Sequence, residues 1–170
     1  MHPYTQRNIR VWHRRFSTQG WSIRVLDRIL SSPLNVSNFL NIFNPRTAHS
    51  PVPSPMAPSA VIHTSDLVRW SLLLKYGGLY ADVGLIQIGD LDRLWCETVG
   101  NPSSRFEVLS YNAGGVGLID LTNYFLASGR DNPFFARCHQ LLLQLWNADG
   151  GKTSTEGMHS SILLKGVPLM

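Results

Sequence analysis

Cysteine is scarce in this chain. Only Cys96 and Cys138 occur, far apart in sequence. That excludes a dense disulfide framework and the paired-cysteine spacing of a structural zinc site. Cys96 follows Trp95, and Cys138 lies at helical spacing from Phe134 and Leu142, so both are expected to be buried thiols. No apolar run is long enough to span a bilayer, and no signal-peptide pattern opens the chain. No internal repeat is evident. No segment resembles a nucleic-acid-binding module, so nucleic acid is not an expected partner. Charge is sparse at 15% of residues, and acids are the scarcer sign, with 11 Asp and Glu against 15 Lys and Arg and a net charge of +4.

What is present is enough for one domain. The 170 residues include 44% hydrophobic ones, which supplies a core but leaves no room for a second full domain. The excess positive charge is local. Residues 1–30 carry six arginines (7, 10, 14, 15, 24 and 28) against the single acid Asp27. Such a patch can meet a diphosphate or an anionic membrane, or it can be a solvated helix face. The triplet Asn35-Val36-Ser37 is a glycosylation sequon, of consequence only on a secretory route.

Helical spacing of Ile9, Trp12, His13 and Phe16 predicts a helix over 7–16, stopped by Gly20. Residues 21–26 alternate as a strand does, with Asp27 at the end. In open α/β sheets ligands bind outside the carboxyl ends of strands, so Asp27 is a candidate nucleotide contact; it is equally a cap for the segment that follows. A short helix is expected within 34–43. Prolines at 45, 51, 53, 55 and 58 forbid a helix interior or central strand over about 45–59 and predict an extended loop.

The densest signal lies between Ser65 and Leu94. Ser65 is placed to cap a helix with Asp66 in its first turn, where the helix dipole favours negative charge. Leu67, Trp70, Leu73 and Leu74 form the core stripe, and Asp66 and Arg69 share one face. Gly77-Gly78 ends the helix. A strand follows over residues 79–88, containing Asp82, and Gly89-Asp90 turns the chain. Further on, residues 106–109 suggest a strand, 112–115 a turn and 116–121 a second strand. Asn132-Pro133 opens a helix with Phe134, Cys138, Leu141, Leu142 and Leu145 on its buried face.

The block resembles the glycosyltransferases of the capsular-polysaccharide-synthesis and DXD sugar-binding type. The resemblance rests on Ser65, Asp66, Leu67, Arg69, Leu73, Tyr76, Gly77, Gly78, Tyr80 and Asp82, which match S-D-L-x-R-x-x-x-L-x-x-Y-G-G-x-Y followed by a strand and D-x-D. Gly84 replaces the second aspartate, which puts the usual metal site in question. Asn123, Phe125, Ala127 and Ser128 match a later family segment, and residues 155–161 loosely match one near the donor phosphates.

The resemblance implies a GT-A-like (Rossmann-like) α/β/α sandwich that binds a nucleotide sugar. Domains of this type are longer, so residues 1–170 are expected to be one incomplete transferase domain. It implies transfer from a UDP- or GDP-sugar to a polysaccharide, glycan or glycolipid, with a catalytically inactive binding relative as the alternative. The implied donor-site residues are Asp82, as catalytic group or metal ligand, with Asp66, Arg69, Tyr80, Asp27 and His159; Asn123 is implied on the acceptor side. For Asp66 and Arg69 a plain ion pair on the helix face is the other reading. Mn²⁺ or Mg²⁺ is an implied cofactor, with Asp90, Asp92 or His159 available to replace the missing ligand. A membrane anchor, and with it a Golgi or secretory location, is expected only in further sequence; otherwise the cytoplasm is expected.

Overall fold

The computed structural model describes residues 1–27, 29, 31–40, 60–86, 88–112 and 121–148, with the backbone alone for 60–67, 143 and 145–148. Helix α1 (Pro3–Phe16) is followed by α2 (Ala60–Tyr76), β1 (Gly78–Ala81), α3 (Leu91–Glu97), β2 (Val108–Asn112), β3 (Leu121–Ser128) and α4 (Pro133–Ala148). Among the described residues the strands form one antiparallel sheet in the order β1-β3-β2.

The alternation of side chains along the strands divides the core in two. Leu79 and Ala81 of β1, Leu109 of β2 and Phe125 of β3 point to one face, where they meet Phe16, Trp12 and Trp21 from the α1 side and Leu91 of α3. Tyr80, Val108 and Leu126 point to the other, against Trp70 and Leu73 of α2 and Phe135, Cys138 and Leu142 of α4. The register agrees: Tyr80 lies opposite Leu126, and Ala81 opposite Phe125. Paired residues of an antiparallel ladder share a face. The result is helix, sheet, helix, the layering expected of this α/β class.

Helix ends follow local chemistry. Pro3 opens α1 where its missing N–H costs nothing, and the His2 ring accepts from Tyr4 N. His13, Arg14 and Arg15 close it at the negative end of the helix dipole. Asn132 caps α4 as expected, its Oδ1 accepting from Phe134 N at 3.0 Å and Phe135 N at 3.2 Å. Gly77 ends α2 with φ +65° and donates to Leu73 O at 2.8 Å. The exposed carbonyl of Leu74 accepts from Asp131 N at 3.0 Å, which docks the end of α2 onto the turn before α4.

Several expectations are corrected. Helix α2 begins at Ala60, so Ser65 lies inside it and is not its cap, and Asp66 is not in its first turn. The apolar run 60–62 continues the helix, which overrides the serine's capping preference. The strand after Gly77 spans Gly78–Ala81 only, because the chain turns at Asp82, where Leu85 N donates to Asp82 O. Residues 22–26 are extended but belong to no strand, and their backbone makes no hydrogen bond among the described residues. In place of a helix over 34–43 there is a single 3₁₀ turn, Val36–Asn38, within the described part. Of the turn expected at 112–115 and the strand at 116–121, Asn112 ends β2 and Leu121 begins β3, while residues 113–120 lie outside the described residues, as does the loop at 45–59. His13 is exposed. Cys138 is buried, as expected, but Cys96 is exposed. The sequon asparagine, 5% exposed, is occupied: Asn35 donates to Ile29 O and accepts from Ser37 N and Oγ.

Two outcomes follow from this packing. A Cβ at position 77 would stand 2.6 Å from Arg130 N. Gly77→Ala is expected to lower unfolding free energy by about 1–3 kcal/mol, read from denaturant midpoints, since it adds a backbone clash to a left-handed conformation. Burial pushes the Cys138 thiol up to about 11. A thiol reagent at pH 8 should therefore label Cys96 in the native protein and Cys138 only after unfolding, as followed by mass spectrometry.

Candidate functional site

Asp82 stands immediately beyond the end of β1, and its backbone is fixed by donation from Asp82 N to Tyr124 O at 2.9 Å. Its carboxylate is addressed from two sides. The Tyr80 hydroxyl donates to Oδ1 at 2.8 Å. The Arg69 guanidinium approaches the same oxygen at 3.9 Å. Among the described residues no contact is made by Oδ2. The Asp82 side chain is 45% exposed while that of Arg69 is 3% exposed. The carboxylate thus faces outward on a buried cation.

Arg69 is held in turn. It donates to the Asn123 carbonyl, and its guanidinium carbon lies 4.8 Å from the centre of the Tyr80 ring. Stacking on an aromatic face and forked donation are what arginine offers and lysine does not. Arg69 is 3% exposed, with the Tyr80 ring and the Asp82 carboxylate beside its guanidinium.

A groove of about 1080 Å³ runs beside this carboxylate. The extended segment 21–27 forms one wall and β1 with the end of α2 the other; Asn8, Arg24, Asp27, Tyr80 and Asp82 are among the polar groups that line it. Asp27 and Asp82 therefore line the same groove, although no strand precedes Asp27. Asp27 is also engaged locally: Oδ1 accepts from Ile29 N at 3.0 Å and Oδ2 from the Ser32 hydroxyl at 2.7 Å. Asp27 thus caps its own turn and borders the groove.

The remaining candidates are spread out. The Asp66 backbone lies within α2 and its side chain is outside the described residues, as is the whole of His159. Asn123 contributes its backbone carbonyl to Arg69. Asp90 caps α3 by accepting from Arg93 N, and Asp92 accepts from the Trp21 indole N–H at 3.0 Å. Neither stands with Asp82: among the described residues no three His, Cys, Asp or Glu side chains gather as a metal site would require. At the motif itself Asp82 stands with Gly84 at the second position. The basic patch also resolves in part. Arg15 binds backbone carbonyls of the loop after Asp82, and Arg24 stacks over Phe39. No helix among the described residues is long and apolar enough to cross a membrane.

Sequence reading missed the contribution of α1. Asn8 and Arg15 reach the loop that follows Asp82. The available signal was the spacing of Asn8, Trp12 and Arg15, which puts all three on one side of the helix.

Comparison with known proteins identifies the family. Residues 4–100 match the sequence family described as "Glycosyltransferase sugar-binding region containing DXD motif", and residues 54–152 the one described as "Capsular polysaccharide synthesis protein". The chain belongs to this glycosyltransferase family. It is 35% identical to Glycosyltransferase afumC of Aspergillus fumigatus, over 98% of this chain and 41% of that protein. It is 32% identical to O-glycosyltransferase braB of Annulohypoxylon truncatum, over 100% of this chain and 39% of that one. It is 30% identical to O-glycosyltransferase PaGT of Phomopsis amygdali, over 96% of this chain and 39% of that one. The chain thus spans about 40% of the length of the curated relatives it matches. No solved structure matches it significantly.

The buried guanidinium gives a direct test. Arg69→Ala is expected to cost roughly 2–4 kcal/mol in chemical denaturation, from a lost charge-assisted donor and an emptied volume under Tyr80. Arg69→Lys should recover only part of this, since an ammonium cannot both fork and stack. An unchanged midpoint in Arg69→Ala would contradict the described role.

Proposed function

We propose that this chain carries the donor-binding part of a glycosyltransferase that moves a sugar from a UDP- or GDP-sugar to an acceptor hydroxyl on a polysaccharide, glycan or glycolipid. The observation that carries the reading is Asp82, held outward on buried Arg69 at the strand end that borders the groove. The family match gives that carboxylate its chemistry, and the two relatives named O-glycosyltransferases support an oxygen acceptor.

In such a transfer the acceptor oxygen bonds to the anomeric carbon as the bond from that carbon to the diphosphate oxygen breaks. The diphosphate leaves with the electron pair and the hydroxyl proton is lost. The enzyme's task is to place the two reactants and to stabilise the leaving charge. A carboxylate repels a diphosphate, so the suitable partners of Asp82 are sugar or ribose hydroxyls, which donate to it. Arg24, on the groove wall, is the described cation available to the phosphate end. A divalent ion, when bound, would neutralise the diphosphate, and Asp82 is the described residue to hold it. The competing reading, a binding relative without turnover, is favoured by Gly84 alone.

Calorimetric titration with UDP and with GDP, each with Mn²⁺ and with a chelator, tests the reading. The wild-type chain should bind one of the nucleotides, and Asp82→Ala should bind it at least about tenfold more weakly, the effect of losing one charged hydrogen-bonding group. Undiminished binding by Asp82→Ala would refute the site. Transfer of sugar from a labelled donor would dismiss the inactive alternative.

A further inference from the structure

The loop after Asp82 is gripped from outside by one face of α1. Asn8 Nδ2 donates to Val83 O at 2.7 Å and to Leu85 O at 2.6 Å. Trp12 Nε1 donates to Leu85 O at 3.1 Å. Arg15 donates from Nη1 to Ile88 O at 3.0 Å and from Nη2 to Gly89 O at 2.7 Å. Residues 8, 12 and 15 recur at intervals of four and three, the spacing of one helix face. The helix that carries them is itself anchored, with Phe16 1% exposed in the cluster it forms with Leu91 and Phe125.

The loop needs such a grip. Of its side chains Leu85 packs against the Phe16, Leu91 and Phe125 cluster, while Val83, Ile86 and Ile88 are 49%, 77% and 83% exposed. Glycine at 84 adds backbone freedom at the turn that starts at Asp82. The turn's own bond is Leu85 N to Asp82 O at 3.0 Å. Asn8 spends both of its amide hydrogens on the carbonyls at 83 and 85, one on each side of Gly84, and so bridges the freest point.

We propose that Asn8, Trp12 and Arg15 are positioning residues: they fix the turn at 82–85 and the loop to 89, and thereby hold the Asp82 carboxylate in one geometry before a ligand arrives. The inference rests on the donor-site reading of Asp82. Its physical content is preorganisation, since a turn already fixed is not ordered at the expense of binding.

Three variants test it. Asn8→Ala removes both donors. Asn8→Asp keeps the shape but sets an acceptor against two carbonyls. Arg10→Ala is the control on the same helix, where among the described residues Arg10 hydrogen-bonds Gln6 Oε1 alone, at 3.4 Å. Amide hydrogen exchange at Leu85 should quicken by about tenfold in both Asn8 variants and stay unchanged in the control. UDP or GDP affinity should fall by about tenfold, the combined worth of two ordinary hydrogen bonds, while the thermal midpoint moves little. Asn8→Gln, which restores the donors, should recover part of the affinity. Unchanged exchange at Leu85 in both Asn8 variants overturns the proposal. So does faster exchange with unchanged affinity, because the loop would then be held without positioning Asp82. If the wild-type chain binds neither nucleotide, the donor-site reading falls separately. The positioning claim is then decided by the ¹³C signal of the Asp82 carboxyl: a shift or broadening in the Asn8 variants but not in Arg10→Ala supports it, and an unchanged signal overturns it.

Discussion

Arg69 lies inside the protein, and three separate parts of the chain converge on it. Its own helix supplies the stem, β3 supplies the Asn123 carbonyl, and β1 with its following turn supplies the Tyr80 ring and the Asp82 carboxylate. A guanidinium taken out of water is tolerable only where donors find acceptors and a counter-charge stands near. Here those partners are distant in sequence, so the charge is satisfied only when α2 packs on the sheet and β1 pairs with β3 in register. Slipping that register by one residue would turn Tyr80 to the opposite face and strand the guanidinium. The cation therefore ties the position of the site carboxylate to correct folding of the core.

The same dependence explains the division of labour between the two faces of the sheet. The face covered by α2 and α4 is closed and holds Trp70, Leu73, Phe135 and Cys138. The groove runs along the edge of β1, with segment 21–27 on one side and β1 with Val68, Leu72, Leu73 and Tyr76 of α2 on the other. The packed faces give rigidity; the edge admits a ligand. Asp82 sits just beyond the end of that edge strand. Its Arg69 contact comes from the closed side, while α1 reaches the following turn through Asn8.

Much of this was legible in the residues, and the failures have physical causes. The α4 start was readable because Asn132-Pro133 acts locally: an oxygen two residues from an N–H needs no tertiary help. The glycine stop at 77 was readable for the same reason. Ser65 misled because capping is a choice between ending a helix and continuing it, and the apolar residues before it favour continuation. The length of β1 was overread because residues 83–88 have strand-forming side chains, yet the loop goes to α1 and not into the sheet. Tertiary partners decided that, and no local rule could. Asp82 was found because the motif carries it. Its supports at Asn8 and Arg15 were not, because their targets are backbone carbonyls that leave no mark on the loop's own sequence. The basic segment left two readings open, an anion-binding patch or a solvated helix face, and neither named the donation of Arg15 to the loop.

The grip of α1 is on carbonyl oxygens, and every residue type has one. Side chains at 83, 86 and 88 are largely exposed and take no part in holding the turn. They can change in size or polarity while the backbone contacts, and with them the carboxylate, stay in place. A loop fixed by its main chain separates two requirements that loops usually mix: a constant geometry for the reacting end and a variable surface beside it. Asn8, by contrast, has no substitute of equal reach among the common residues, since it must supply two hydrogens from one nitrogen at a fixed distance from the helix. Constraint at this site accordingly falls on the helix that grips the loop, and freedom falls on the loop that is gripped.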